Sequence, residues 1–578
     1  MAVYPLVTSE GSAFHIVTAR YGSETERFAA SELQKYLYRS TGVCIPYFAD
    51  GCPCRGPEIR IGANVRGEQI SLDTASEEGY TITGDGTNLW IAGRTPRGTL
   101  YGVYRFLELF LGFRCFSDEV ETICHMQTLT VEEPHISEDP AFDYREMYYR
   151  PAFSGNFASK NRLNSNMADL SREKGGNLKF YNFHHAFYDL VKPEEWFATH
   201  PEYFAQIDGV RTVTDSQLCL SNPAILPIAK KTLRNWIREN PHCRVFSVAQ
   251  NDSRRYCTCP ACRRYYEQDG SPAGLVIRFA NALCEDLEQD YPDILLHTFA
   301  YFYSVKCPRG VKPHKNLIVR LCNIDASWHI PFLAQEQTEP DSHGAEFVRN
   351  IREWSAICDR LYIWDYCVNF RNYLQPFVHY RTLAENLRAY RALHVKGVLE
   401  QGDFSYGAKS AFGDLKCYLT AKLLWDPSQD VDVLIDEFTK ACYGDGAPYL
   451  AAYVRMLMDA APNQPLTIYA NPDIPLFSET LLARAEILFA KALSATTGDA
   501  HRRVEKEYLS LRFLHLARLP LDAPCRTEQI DAFFDDLAKF GITEISERCS
   551  LAASREDMKQ FRFMEKMPHQ YRLYYVMQ

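Results

Sequence analysis

Several short polar stretches each close an apolar run of strand length. They are Phe183-His184-His185, Gln250-Asn251-Asp252, Tyr301-Phe302-Tyr303, Asn323-Ile324-Asp325, Trp364-Asp365-Tyr366 and Glu400-Gln401-Gly402. Asp252, Asp325, Asp365 and Glu400 offer carboxylates, His184 and His185 offer imidazoles, and Trp and Tyr side chains lie beside them. Glycosidic cleavage needs this inventory. One carboxylic acid protonates the leaving oxygen, and a second carboxylate acts as nucleophile or base, or steadies a substrate amide that attacks instead. Apolar surroundings can hold the acid protonated near neutral pH. The plainer alternative is that each acid pairs with Arg or caps a helix. A single strand-end acid decides nothing between the two, whereas the set together favours a site.

The run Tyr256-Cys257-Thr258-Cys259-Pro260-Ala261-Cys262 places three thiols close together. With a fourth ligand from Cys219 or Cys243, Cys257, Cys259 and Cys262 could bind a structural zinc. A reduced thiol cluster without metal is the other reading. No other cofactor and no catalytic metal is expected.

Strands must present these residues. From about Phe142 to Asp426, short apolar runs alternate with longer amphipathic stretches, the rhythm of β/α units. The predicted strands are 143–149, 178–183, 244–249, 295–302, 317–322, 361–364 and 398–400, with an eighth near Leu218. The fold class is therefore α/β: a central (β/α)8 TIM-type barrel over 136–427, in which chemistry collects at the C-terminal strand ends. A doubly wound sheet would more often carry a glycine-rich phosphate turn after its first strand, and the sequence has none. Residues 1–135 read as a small accessory α/β domain. It holds a Ser23/Glu26 capping box before a helix and a hairpin joining 80–83 to 89–92. Residues 428–578 read as an all-helical domain, with Asp430 or Asp432 as the first cap. Ile530, Phe533, Phe534 and Leu537 lie along one apolar face there.

Composition narrows the partners. The chain has 578 residues, more than one core supports. Its net charge is −10 and no Lys/Arg stripe is present, which argues against a nucleic-acid binder. No apolar run reaches the ~18 residues that span a bilayer, so no membrane partner is expected. The N-terminus lacks a basic stretch followed by an apolar one. The 19 Cys are scattered along the chain. Reduced thiols and a cytoplasmic location are expected.

The runs WFATHPEYFA (196–205), QLCLSN (217–222), SVAQNDSRRYCTCPAC (247–262), IWDY (363–366) and GVLEQG (397–402) resemble the DUF4838 proteins. That group includes glycoside hydrolase family 163, endo-β-N-acetylglucosaminidases acting on complex N-glycans. Residues 93–112 resemble the non-catalytic domain that precedes the barrel in β-hexosaminidases and α-glucuronidases. The resemblance covers most of the chain to about Pro427. It implies hydrolysis of a β-linked N-acetylhexosamine-containing oligosaccharide, with retention assisted by the substrate's acetamido group. It also implies an acid pair on separate strand ends. Glu400 in LEQG matches one acid, and Asp325 in CNIDASWH matches the other, where Glu is expected. Which of the two is the acid stays open. Asp365, Asn251, Asp252, His184, His185, Tyr301, Tyr303, Trp364 and Tyr366 would form the sugar subsite. Two alternatives remain. One is an α-glucuronidase-like inverting hydrolase with Arg145, Arg150 or Arg320 on an acidic sugar. The other is a non-catalytic carbohydrate-binding barrel.

Overall fold

A computed structural model describes residues 2–560 except 54, 133 and 406–408, and the side chain of residue 463. The end of the helical domain expected over 428–578, residues 561–578, lies outside the described residues. The chain divides into two compact units. One comprises Met1–Asn177, Val368–Ala384 and Gly402–Gln578; the other comprises Leu178–Cys367 and Glu385–Gln401. The expected boundaries at 135 and 427 fall inside the first unit.

The first unit holds a mixed sheet of six strands: β1 (His15–Thr18), β2 (Tyr47–Ala49), β3 (Glu58–Ile61), β4 (Tyr80–Gly84), β5 (Leu89–Gly93) and β6 (His135–Glu138), in the order β6-β4-β5-β3-β1-β2. Helix α1 (Glu24–Thr41) starts at the predicted capping box. The Glu26 N–H donates to Ser23 Oγ at 3.1 Å, and the Ser23 N–H donates to Glu26 Oε2 at 2.8 Å. Gly42 ends the helix in the left-handed region at φ 73°. Past residue 412 the unit is predominantly helical. Asp430 caps the helix Val431–Tyr443 by accepting from the Asp432 and Val433 N–H groups. Ile530, Phe533, Phe534 and Leu537 are buried as one face of Arg526–Lys539.

The second unit carries the parallel strands β7 (Phe180–Tyr181), β8 (Val245–Ser247), β9 (Leu295–Ala300), β10 (Leu317–Cys322), β11 (Leu361–Tyr366) and β12 (Gly397–Gln401). They pair in sequence order, each parallel to the next. Crossover helices such as Ile225–Glu239, Ala273–Leu287 and His343–Ser355 separate them in the chain. Strands buried on both faces read as near-continuous apolar runs, which is why β9 to β12 were visible in the sequence. The predicted strand near Leu218 is not formed. Leu218 makes only an isolated antiparallel bridge to Phe204, and its neighbour Cys219 is drawn into a thiol cluster. No described helix is long and apolar enough to cross a membrane.

Candidate functional site

The last residues of β11 and β12 form a polar rung. Asp365 and Glu400 are register partners. In a parallel pair such partners point to one face. Their neighbours Trp364 and Gln401 point to the other, where Trp364 Nε1–H donates to Gln401 Oε1 at 2.8 Å. Asp365 is buried and its Oδ1 accepts from Asn323 Nδ2 at 3.0 Å, Trp328 Nε1 at 2.8 Å and the Tyr366 N–H at 2.8 Å. Its Oδ2 accepts from the Tyr390 hydroxyl at 2.6 Å. Burial raises the Asp365 carboxyl above its usual range, and these donors offset only part of that rise.

Glu400 is treated differently. It is 0% exposed, and neither carboxyl oxygen has a hydrogen-bond partner among the described residues. Burial, then the neighbouring Asp365 charge, pushes its pKa well above the ordinary carboxylate value. Asn323 Oδ1 is likewise buried and unpartnered. Buried polar atoms without partners are uncommon in folded proteins and tend to mark working sites. Of the predicted residues, Tyr366 lies next to this rung, with its ring edge-on to Trp328 at 6.0 Å.

A second group surrounds the ends of β8, β9 and β10. Asp252 is exposed and accepts from the Tyr301 hydroxyl at 3.3 Å. Asp325 is 44% exposed and pairs with Arg254 at 3.1 Å. The Arg254 guanidinium lies 4.1 Å above the Phe302 ring. Phe302 sits in the left-handed region at φ 51°, a conformation that costs on the order of 1 kcal/mol and gathers at functional sites. His185 Nδ1–H donates to the Gln250 carbonyl at 2.6 Å, and its ring stacks near Tyr301. His184 is exposed, its ring 5.7 Å from Trp364. Asn251 is a tie: its Nδ2–H donates to the Ser216 carbonyl at 2.8 Å. Tyr303 stacks on Tyr256 at 4.8 Å.

Other predicted groups go elsewhere. Arg320 is fully buried with its guanidinium 4.6 Å from the Phe183 ring and 5.7 Å from Trp364. Arg145 is buried in the first unit and paired with Glu78. These two arginines therefore do not present a cationic patch to an acidic sugar. Cys219, not Cys243, joins Cys257, Cys259 and Cys262.

A cavity of about 560 Å³ in the first unit is lined by Arg150, Asp403, Lys409, Asp414, Lys506 and Glu507 among others; of these, only Arg150 stood out in the sequence. Burial lifts the Asp403 carboxyl to about 6. Its place three residues after Glu400 was the one available signal.

Residues 115–455 match the family model described as domain of unknown function DUF4838, and residues 8–106 match that of the glycosyl hydrolase family 67 N-terminus. No curated protein matches the sequence. Among solved structures, a family GH115 4-O-methyl-α-glucuronidase with specificity for decorated arabinogalactans is similar over 99% of this chain and 79% of its own, at 12% identity and TM-score 0.56. A chitobiase from Flavobacterium johnsoniae aligns over 97% of this chain and 98% of its own, at 11% identity and TM-score 0.47. A Streptomyces plicatus β-hexosaminidase aligns over 78% and 93%, at 13% identity and TM-score 0.44. The likeness to the glucuronidase shows the fold: an α/β chain built on a TIM-type barrel.

Proposed function

This chain belongs to the DUF4838 family, and from that membership we propose that it is a glycoside hydrolase for an oligosaccharide containing a β-linked N-acetylhexosamine. The observation that carries the reading is Glu400: a dry, unpartnered carboxyl in register with Asp365 at the end of a barrel strand. A general acid must hold its proton near neutral pH. Burial and the Asp365 charge supply that condition. Glu400 donates the proton to the glycosidic oxygen as the bond breaks. Asp325 accepts the acetamido N–H, so the acetamido oxygen attacks the anomeric carbon. Glu400, now ionised, then takes a proton from the water that opens the cyclic intermediate, and the configuration is retained. Asp365 acts through Glu400 as a positioning residue. Asp252, His185 and Tyr301 serve the sugar hydroxyls; Trp364, with His184 beside its ring, points to the other face of the sheet from Glu400 and is not assigned to that sugar.

The test is hydrolysis of aryl N-acetyl-β-glucosaminides and of complex N-glycans, with the first-formed anomer followed by NMR. Glu400→Gln should lower turnover by ~10²–10⁴-fold without loss of folding; near-normal turnover sinks the assignment. A second reading, an inverting enzyme for a uronic acid, is favoured by one observation, the exposed Arg254 at the strand ends. Inversion at the anomeric carbon, with turnover only of glucuronides, would select it. Sugar binding without hydrolysis would select a non-catalytic barrel.

A further inference from the structure

We propose that Cys219, Cys257, Cys259 and Cys262 hold one structural zinc ion as a closed tetrathiolate site. All four residues are buried, and their sulfurs lie within 4.8 Å of one another. Cys219 Sγ stands 3.7 Å from Cys259 Sγ and 3.9 Å from Cys262 Sγ. Zinc bonded to sulfur at ~2.3 Å in a tetrahedron separates its ligands by ~3.8 Å. Two of the six edges therefore already stand at tetrahedral length, and no edge exceeds 4.8 Å. The thiols are too far apart for a disulfide, whose sulfurs sit ~2 Å apart. A multi-iron cluster, with sulfide between its irons, would need the thiols farther apart.

The surroundings suit thiolates. The Gln206 backbone N–H donates to Cys257 Sγ at 3.2 Å. The Ser221 hydroxyl is 3.1 Å from Cys262 Sγ, and an Arg211 guanidinium nitrogen is 3.8 Å from Cys257 Sγ. One zinc with four thiolates carries two excess negative charges, and donors of this kind offset them. Four protein ligands leave no open position, so the ion is structural and not catalytic.

Its structural effect can be read from the chain. Cys219 comes from the 203–222 segment. The other three thiols close the loop that leaves β8 and carries Asn251, Asp252 and Arg254. The same two segments are tied by Gln217, whose Oε1 accepts from the Asn251 N–H at 2.8 Å and whose Nε2–H donates to the Asn251 carbonyl at 2.9 Å. The metal fixes the far end of that tie.

The full chain, purified in a reducing buffer without a metal-affinity step, should carry one zinc per chain by mass spectrometry of the metals. A mercurial thiol reagent should release that zinc to a colorimetric chelator. Cobalt exchanged into the site should give the absorption of a tetrahedral tetrathiolate. Cys262→Ser should lose the zinc. Should that variant fail to fold, release from the wild-type chain and the cobalt spectrum still decide. A metal-free chain whose four thiols all alkylate after denaturation would overturn the proposal. A Cys219–Cys259 disulfide in the peptide map, or iron in place of zinc, would overturn it too.

Discussion

At the ends of β8 and β10 the acids are wet, and at the ends of β11 and β12 they are dry. Asp325 faces solvent and Arg254, an exposed pair of the kind that contributes ~0.2–1 kcal/mol. Asp252 faces solvent and the Tyr301 hydroxyl. Asp365 is enclosed by four donors, and Glu400 by none among the described residues. The same chain position, the C-terminal end of a parallel strand, thus produces two electrostatic regimes. A solvent-facing carboxylate can exchange a surface partner for a substrate amide. A dry one beside a fixed negative charge keeps its proton. Hydrolysis by substrate assistance needs one of each.

That division can be broken by substitution. Asp325→Asn should lower kcat/KM on N-acetylated substrates by ~10²–10³-fold, the usual cost of removing one electrostatic contact to the developing charge. Thermal stability should hardly move. A loss below threefold would place the substrate's acetamido group elsewhere and leave Asp325 as a surface ion pair. Asp365→Asn should cost less, ~10–10²-fold, because it acts through placement. Its distinctive effect is on pH dependence. The Asp365 charge helps to hold Glu400 protonated, so removing it should move the alkaline limb of the kcat/KM profile to lower pH. An unmoved limb, with only the rate depressed, would mean that Asp365 is merely structural. Tyr301→Phe removes a 3.3 Å bond to Asp252 worth ~0.5–1.5 kcal/mol. A change of about threefold is expected, in KM more than kcat.

Particular residues show how far sequence reached. The strands β9 to β12 were legible because they are buried on both faces and their sequences are mostly apolar. Leu218-Cys219-Leu220 looked like a strand for the same reason, but its cysteine is held by thiols from another segment. Spacing alone could not choose Cys219 over Cys243, since both lie far from the CxCxxC run in the chain. Arg320 read as a cation for substrate. Its burial depends on Phe180 and Phe183 from one segment and Trp364 from another, and no local pattern announces that. Glu400 was legible as a strand-end acid. Its dryness was not, because burial is a property of what packs over the strand.

The last and smallest effect tests dryness itself. In the folded chain Glu400 has a raised pKa, whereas in the unfolded chain it titrates near ~4.3. Above that pH the unfolded state releases a proton that the native state keeps. The native state then binds more protons, and stability falls as pH rises toward the folded pKa. Glu400→Gln does not titrate and lacks this slope. Its thermal midpoint should therefore match the wild type at low pH and exceed it near neutrality, by on the order of a few degrees. Activity would be lost while stability is gained, the trade expected where a working group is held in an unfavourable setting. A difference that stays flat with pH, or that favours the wild type near neutrality, would mean that Glu400 is ionised and compensated in the fold. The contrast between the wet and dry acids would then disappear.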